Sequence, residues 1–249
     1  MMMRGSSAAP LMMLPGLLCD ARMFAAQRAR FPDAVVIDGF GMVDDLAEMA
    51  RITLNVAPRR ISLLGHSMGA RVALEMIRLA PERIERLALV STGVHGPRDG
   101  EADRRRELLE LGRRQGAEAL VDRWLPGMVA PDRIEATALI EPLRHMCVEA
   151  GVETFAAQIA ALLGRPEVRS LLPTIRCPTA VIVGSEDAWS PPDQHAEIAA
   201  AIPGAQLRVI PGAGHMLPAE APDAFDDAVA DWLALPMFSY NQTERGTIA

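Results

Sequence analysis

Ile61-Ser62-Leu63-Leu64-Gly65-His66-Ser67-Met68-Gly69-Ala70-Arg71-Val72-Ala73-Leu74 is the stretch on which the reading of the chain turns. Ile61 to Leu64 is a short apolar run of strand type. Val72 to Ala80 carries apolar residues at helical spacing, and Pro81 follows. Between them lies Gly65-His66-Ser67-Met68-Gly69, a G-x-S-x-G pentapeptide in the strand–turn–helix setting that this motif requires. A turn this tight needs glycine where the strand and helix backbones converge, and it holds the serine in a strained conformation. The Ser67 hydroxyl is thereby exposed at the C-terminal end of a strand, and the free N–H groups of a helix start point at the same place. An ordinary strand-to-helix turn could carry the same five residues, so the remaining strand ends must decide.

Outward from this stretch, Leu11 to Leu14 reads as a buried strand ended by Pro15-Gly16, after which Asp20 caps a helix from Ala21 to Arg30. A second strand runs from Ala34 to Ile37, a helix from about Val43 to Val56, and a fourth strand from Leu87 to Val90. Strand patterns return at Thr179 to Val183 and Gln206 to Ile210, and a helix over Ala219 to Leu235 follows. From His95 to Leu172 there is no strand pattern. Helical segments there are cut by Gly112, Gly116, Pro126-Gly127, Pro131, Gly151 and Gly164, which predicts four or five short helices. Short, continuously apolar strands alternating with helices predict an α/β fold with about six mostly parallel strands and helices on both faces. Residues 8–94 and 173–236 form the expected core, residues 95–172 an inserted helical lid, and residues 237–249 a polar C-terminal tail.

Ligands of such sheets sit beyond the C-terminal strand ends. The third strand ends at Ser67, the fifth runs into Gly184-Ser185-Glu186-Asp187, and the sixth into Pro211-Gly212-Ala213-Gly214-His215. A hydroxyl, a carboxylate and an imidazole therefore fall on loops at one sheet edge. Serine is a weak nucleophile until a base takes its proton; His215 supplies the base, and Asp187 orients its imidazole. Glu186 is a rival carboxylate. Donors for a developing oxyanion are expected from the backbone N–H of Met68 and of Leu17, with Leu18 as the alternative. Leu18, His66, His95, Trp124, Trp189 and Met216 are candidate pocket residues, with His66 also a packing residue inside the turn.

Composition narrows the partners. The 249 residues carry a formal net charge of −7, which excludes the basic footprint of a nucleic-acid binder. Arg104-Arg105-Arg106, set among Glu101, Asp103, Glu107 and Glu110, reads as a solvated helix face. Cys19, Cys147 and Cys177 are odd in number and widely spaced, so neither a disulfide framework nor a zinc site is expected. Pro10, Pro15 and Gly16 interrupt the apolar run near the N-terminus, and no stretch reads as long enough to span a membrane. These features predict a cytoplasmic protein, monomer or homodimer, without membrane or nucleic-acid partners and with no cofactor and no metal.

The elbow, the Ser67…Asp187…His215 order and the helical insertion after the fourth strand resemble the α/β-hydrolase superfamily over Leu11 to about Leu235. The chain departs from that family at Pro15-Gly16, where many relatives have His-Gly, and in having no room for an antiparallel hairpin before Leu11. The resemblance therefore implies an all-parallel, six-stranded version with Val35 to Ile37 on an edge. It also implies a serine hydrolase that cleaves a carboxylic ester or lactone of a small to medium apolar substrate through an acyl-enzyme on Ser67. Thioester or C–C bond hydrolysis, perhydrolase activity and a non-catalytic ligand-binding homologue are the alternatives. Serine at the elbow argues against dehalogenases and epoxide hydrolases, which carry aspartate there.

Overall fold

The computed structural model describes residues 9–237, so residue 8 and nearly all of the expected tail lie outside the described residues. Six strands form one sheet: β1 (Leu11–Leu14), β2 (Val35–Val36), β3 (Ile61–His66), β4 (Ile84–Val90), β5 (Thr179–Gly184) and β6 (Gln206–Ile210). Their order is β2-β1-β3-β4-β5-β6, and every neighbouring pair is parallel. β3 and β5 are buried along their whole length because both sheet faces are covered, whereas β6 at the edge exposes Leu207 and Val209.

β1 lies one strand in from the edge; the chain goes from it out to β2 and returns past β1 to β3. Right-handed crossovers then place the helices of the two directions on opposite faces. α1 (Ala25–Arg30) accordingly packs with α8 (Pro222–Leu233) on one side, and α2 (Leu46–Val56) with α3 (Met68–Leu79) on the other. The reversal falls between β1 and β3, where Leu14 pairs with Gly65. A crevice opens there beyond the strand ends.

Several boundaries differ from the sequence expectation for local reasons. α2 begins at Leu46, because the Asp45 side chain accepts the Glu48 N–H at 2.8 Å and caps it there. The single helix expected over Ala219 to Leu235 is two, α7 (Leu217–Glu220) and α8: Pro222 forces Ala221 out of the helical region, to φ −135° and ψ 60°. Between β4 and β5 lie α4 (Glu101–Trp124) and α5 (Thr137–Leu163), bent sharply at Gly116 (φ 90°) and Gly151 (φ 84°) into four helical segments. Gly112 does not break α4. A Cβ there would sit 2.7 Å from Leu120 Cδ1, so its role is to let the two arms of α4 fold together. α6 (Pro192–Ala201) joins β5 to β6.

Against the expectation that no stretch could span a membrane, α5 is long and apolar enough by length and composition. Gly151 divides it, however, into two segments that each fall well short of the ~20 residues of a straight span, and its Phe155, Ile159 and Leu162 are buried within the protein.

The β3 core is the mechanical base of the serine turn. Leu63 is fully buried, so Leu63→Ala is expected to cost about 2–5 kcal/mol, against about 1 kcal/mol or less for Val209→Ala on the exposed edge. Urea denaturation of both variants measures the difference; equal losses would mean that the sheet centre is not the main store of stability.

Candidate active site

The turn after β3 gives Ser67 a positive φ of 54° with ψ −113°. A non-glycine residue persists there only when its surroundings over-determine it. Here the Ser67 N–H donates to Val90 O at 2.8 Å, and Thr92 Oγ1 donates to Ser67 O at 3.1 Å. A Cβ on Gly69 would lie 2.3 Å from Leu14 O, so only glycine lets α3 start this close to the end of β1.

The loops after β5 and β6 bring the other two groups to Ser67. His215 Nε2 lies 2.8 Å from Ser67 Oγ, and His215 Nδ1–H donates to Asp187 Oδ2 at 2.9 Å and Oδ1 at 3.1 Å. Asp187 also accepts the N–H groups of Trp189 and Ser190 on Oδ1, at 3.1 and 2.8 Å. Burial pushes the Asp187 carboxyl up, but His215 and the Ser190 N–H outweigh it and hold it below the usual range. Glu186, the rival carboxylate, is exposed and accepts from Ser185 Oγ at 3.0 Å. Glu220 fixes the His215 loop from below: its Oε2 accepts the N–H groups of Gly214 and Ala130 at 2.9 and 2.8 Å.

His66 is buried and donates from Nε2 to the His215 carbonyl at 2.7 Å. Burial first, then repulsion by His215, lowers its pKa to about 3, so it stays a neutral donor that steadies the His215 backbone. His195 does comparable work behind Ser67: it takes the Thr92 N–H on Nε2 at 2.8 Å and donates from Nδ1 to Pro191 O at 3.1 Å.

Of the two candidate donors after β1, the structure separates Leu17 from Leu18. Leu18 adopts a left-handed φ of 59°, and its N–H donates to Gln158 Oε1 at 2.8 Å. It is therefore already engaged, and its side chain is packed in the core rather than lining the cavity, which corrects its place among the pocket residues. The N–H groups of Leu17 and Met68 have no protein acceptor among the described residues. Gln158, fully buried on α5, also donates from Nε2 to Gly41 O at 3.1 Å, so the helical insertion ties down the loop after β1. The sequence carries no signal for Gln158, since nothing local to α5 shows that it reaches a loop 140 residues away.

Ser67, His215, Leu17 and Met68 line a cavity of about 190 Å³. His66, His95, Trp124, Trp189 and Met216 line it as expected. The expected apolar pocket is only partly found. Trp124, Met128 and Leu162 supply an apolar wall, but Arg71, Arg98, Arg104, Arg105 and Arg165 also line the cavity, with Glu101 the one carboxylate among them. Arg104 is exposed and Arg106 stays on the outside beside Asp103, whereas Arg105 is only 6% exposed, so the solvated-face reading of this cluster holds for Arg104 and Arg106 and fails for Arg105. Glu101 accepts Arg105 Nε at 2.9 Å and both Arg165 Nη groups at 2.8 and 2.6 Å. Burial raises its carboxyl, but these cations and the Arg98 N–H more than reverse that, to about 2. In the sequence, Glu101 and Arg105 look like any surface i,i+4 pair; only the arrival of Arg165 buries them. Among the described residues, no group of three or more His, Cys, Asp or Glu side chains is placed to hold a metal ion.

Residues 11–228 match the Alpha/beta hydrolase family, and the chain belongs to that family. It is 30% identical to a thermophilic esterase from Thermogutta terrifontis, solved with malate bound, over 91% of this chain and 90% of that one, with a TM-score of 0.81. It is 25% identical to the enol-lactonase from Burkholderia xenovorans LB400, covering 93% and 94% of the two chains, with a TM-score of 0.79. Among curated proteins it is 28% identical to the mouse sn-1-specific diacylglycerol lipase ABHD11 over 69% of this chain, a match that spans 58% of the mouse protein. The chain is thus a hydrolase of the α/β fold, with esterase and lactonase neighbours.

The buried groups set the acid response. His66 has a folded pKa of about 3 against an ordinary 6.5, so the unfolded state binds more protons between those values and stability falls as pH drops through that window. Glu101, at about 2 against 4.5, adds a second loss only below pH 4.5. Melting temperature measured from pH 7 to 3 is expected to decline throughout. His66→Gln should flatten the part above pH 4.5, and Glu101→Gln only the part below it.

Proposed function

We propose that this chain is a serine hydrolase that cleaves a carboxylic ester or lactone through an acyl-enzyme on Ser67. The observation that carries this reading is the unbroken chain Ser67 Oγ–His215–Asp187, beside two N–H groups without protein acceptors among the described residues. His215 Nε2 takes the Ser67 proton as Oγ adds to the substrate carbonyl, while Asp187 holds the Nδ1–H tautomer and stabilises the cation that forms. The carbonyl oxygen becomes an oxyanion between the Leu17 and Met68 N–H groups, with the N-terminus of α3 adding its positive end. Collapse of that intermediate expels the alcohol, which receives the proton from His215. Water then attacks the acyl-enzyme with His215 as base, and Ser67 is regenerated.

Gln158 is a positioning residue in this scheme, since it keeps Leu18 left-handed and so aims the preceding N–H. The 190 Å³ cavity is below the ~300–1,000 Å³ of pockets for drug-sized ligands, which favours a small substrate over a long-chain lipid. Esterase and lactonase names among the structural neighbours favour ester chemistry over thioester or C–C cleavage, which the same groups could support.

A fluorophosphonate probe is expected to label Ser67 and block hydrolysis of 4-nitrophenyl acetate and butyrate, and Ser67→Ala to lower kcat by ~10⁴-fold or more. A wild-type protein with neither labelling nor turnover would sink the hydrolase reading. Gln158→Leu is expected to lower kcat by about 10–100-fold with KM little changed, because the donor loop is displaced rather than the pocket filled.

A further inference from the structure

The arginines of the cavity are the feature that ester hydrolysis leaves unexplained. The chain as a whole carries a net charge of −7, yet five arginines and a single glutamate line this one cavity. Most of these guanidinium groups have protein partners. Arg71 donates to the carbonyls of Gly93 and Pro166, Arg165 chelates Glu101, and Arg98 reaches Gln194 Oε1 at 2.6 Å.

Arg105 differs from them. Its Nε is taken by Glu101, but Nη1 and Nη2 have no protein acceptor among the described residues, although the residue is only 6% exposed. Its guanidinium lies 5.6 Å above the centre of the Trp189 ring, and the Trp189 N–H in turn donates to Asp187. The fork is thus fixed on one side by a carboxylate and on one face by an aromatic ring, with its two outer nitrogens left for a ligand. One carboxylate cannot neutralise two cations, and Glu101 holds Arg165 in a two-point pair as well as Arg105 Nε. Neither nitrogen is sealed off, so a ligand in the cavity can reach both. Two parallel N–H donors at fixed spacing match a carboxylate better than any neutral group.

We propose that the substrate hydrolysed at Ser67 is a small ester or lactone that carries a free carboxylate remote from the scissile carbonyl, and that Arg105 holds this carboxylate in a two-point contact. Arg104, exposed at the cavity mouth, adds to the positive field that draws the anion in. The apolar wall of Trp124, Met128 and Leu162 covers the methylene groups between the two ends. The assignment rests on the serine-hydrolase reading for the reaction, but not for the anion site itself.

The test compares two substrates of equal chain length, 4-nitrophenyl hydrogen adipate and 4-nitrophenyl hexanoate. The wild type is expected to favour the adipate ester at least about tenfold in kcat/KM. Arg105→Gln should lower the adipate value by about 10–100-fold, chiefly through KM, while the hexanoate value stays within about threefold. Arg105→Lys should restore part of the preference, since it returns the charge without the fork. Fluorophosphonate labelling of Ser67 in each variant checks that the fold is intact. A wild-type preference for hexanoate, or an equal loss on both substrates in Arg105→Gln, overturns the proposal. Should neither ester turn over, the hydrolase reading fails by itself. Calorimetric binding of adipate to Ser67→Ala then decides the anion site. It stands if adding Arg105→Gln abolishes binding, and falls if adipate binds both proteins equally or neither.

Discussion

Ser67 sits at φ 54° and ψ −113°, a conformation that costs a side-chain-bearing residue of order 1–3 kcal/mol. Much of the surrounding architecture is what makes that strain affordable. β4 holds the Ser67 N–H through Val90 O, Thr92 holds its carbonyl, and Gly69 allows α3 to start within van der Waals reach of the end of β1. The Ser67 hydroxyl, the Met68 N–H and the N-terminus of α3 are thereby placed together.

The sheet order extends this local constraint to the rest of the site. Because the winding reverses between β1 and β3, the loop carrying Leu17 lies directly beside the serine turn. β5 and β6 bring Asp187 and His215 to the same edge from the other side, and buried polar side chains secure those loops: Glu220 under Gly214, His66 behind His215, His195 behind Thr92. Each of these groups bonds to backbone, which fixes loop positions more rigidly than pairs of mobile side chains would, although His66 Nδ1 and Glu220 Oε1 are buried without a partner among the described residues.

The helical insertion does more than line part of the cavity. Through Gln158 it fixes the loop after β1 that carries Leu17 and Leu18, and through Arg105 and Arg165 it gives an acidic protein a basic cavity. Gln158, Glu101 and Arg105 therefore sit on the same pair of helices, α4 and α5, with Arg165 just beyond them.

Sequence alone was enough for the sheet and for bringing Ser67, Asp187 and His215 to one sheet edge, because these placements depend on short-range signals. Apolar runs mark the strands, glycines mark the turns, and the chemistry-bearing residues fall directly after strand ends. Helix details failed where one residue acts locally, as at Asp45 and Pro222. Tertiary structure alone decided that Leu18 is engaged, that Gln158 engages it, and that Arg105 faces inward while Arg106 faces water. Those facts depend on contacts across 64 to 140 residues, made between helices whose own sequences resemble ordinary amphipathic or charged surface helices. Periodicity reports which face of a helix is polar. It cannot report whether a second cation will arrive to bury that face.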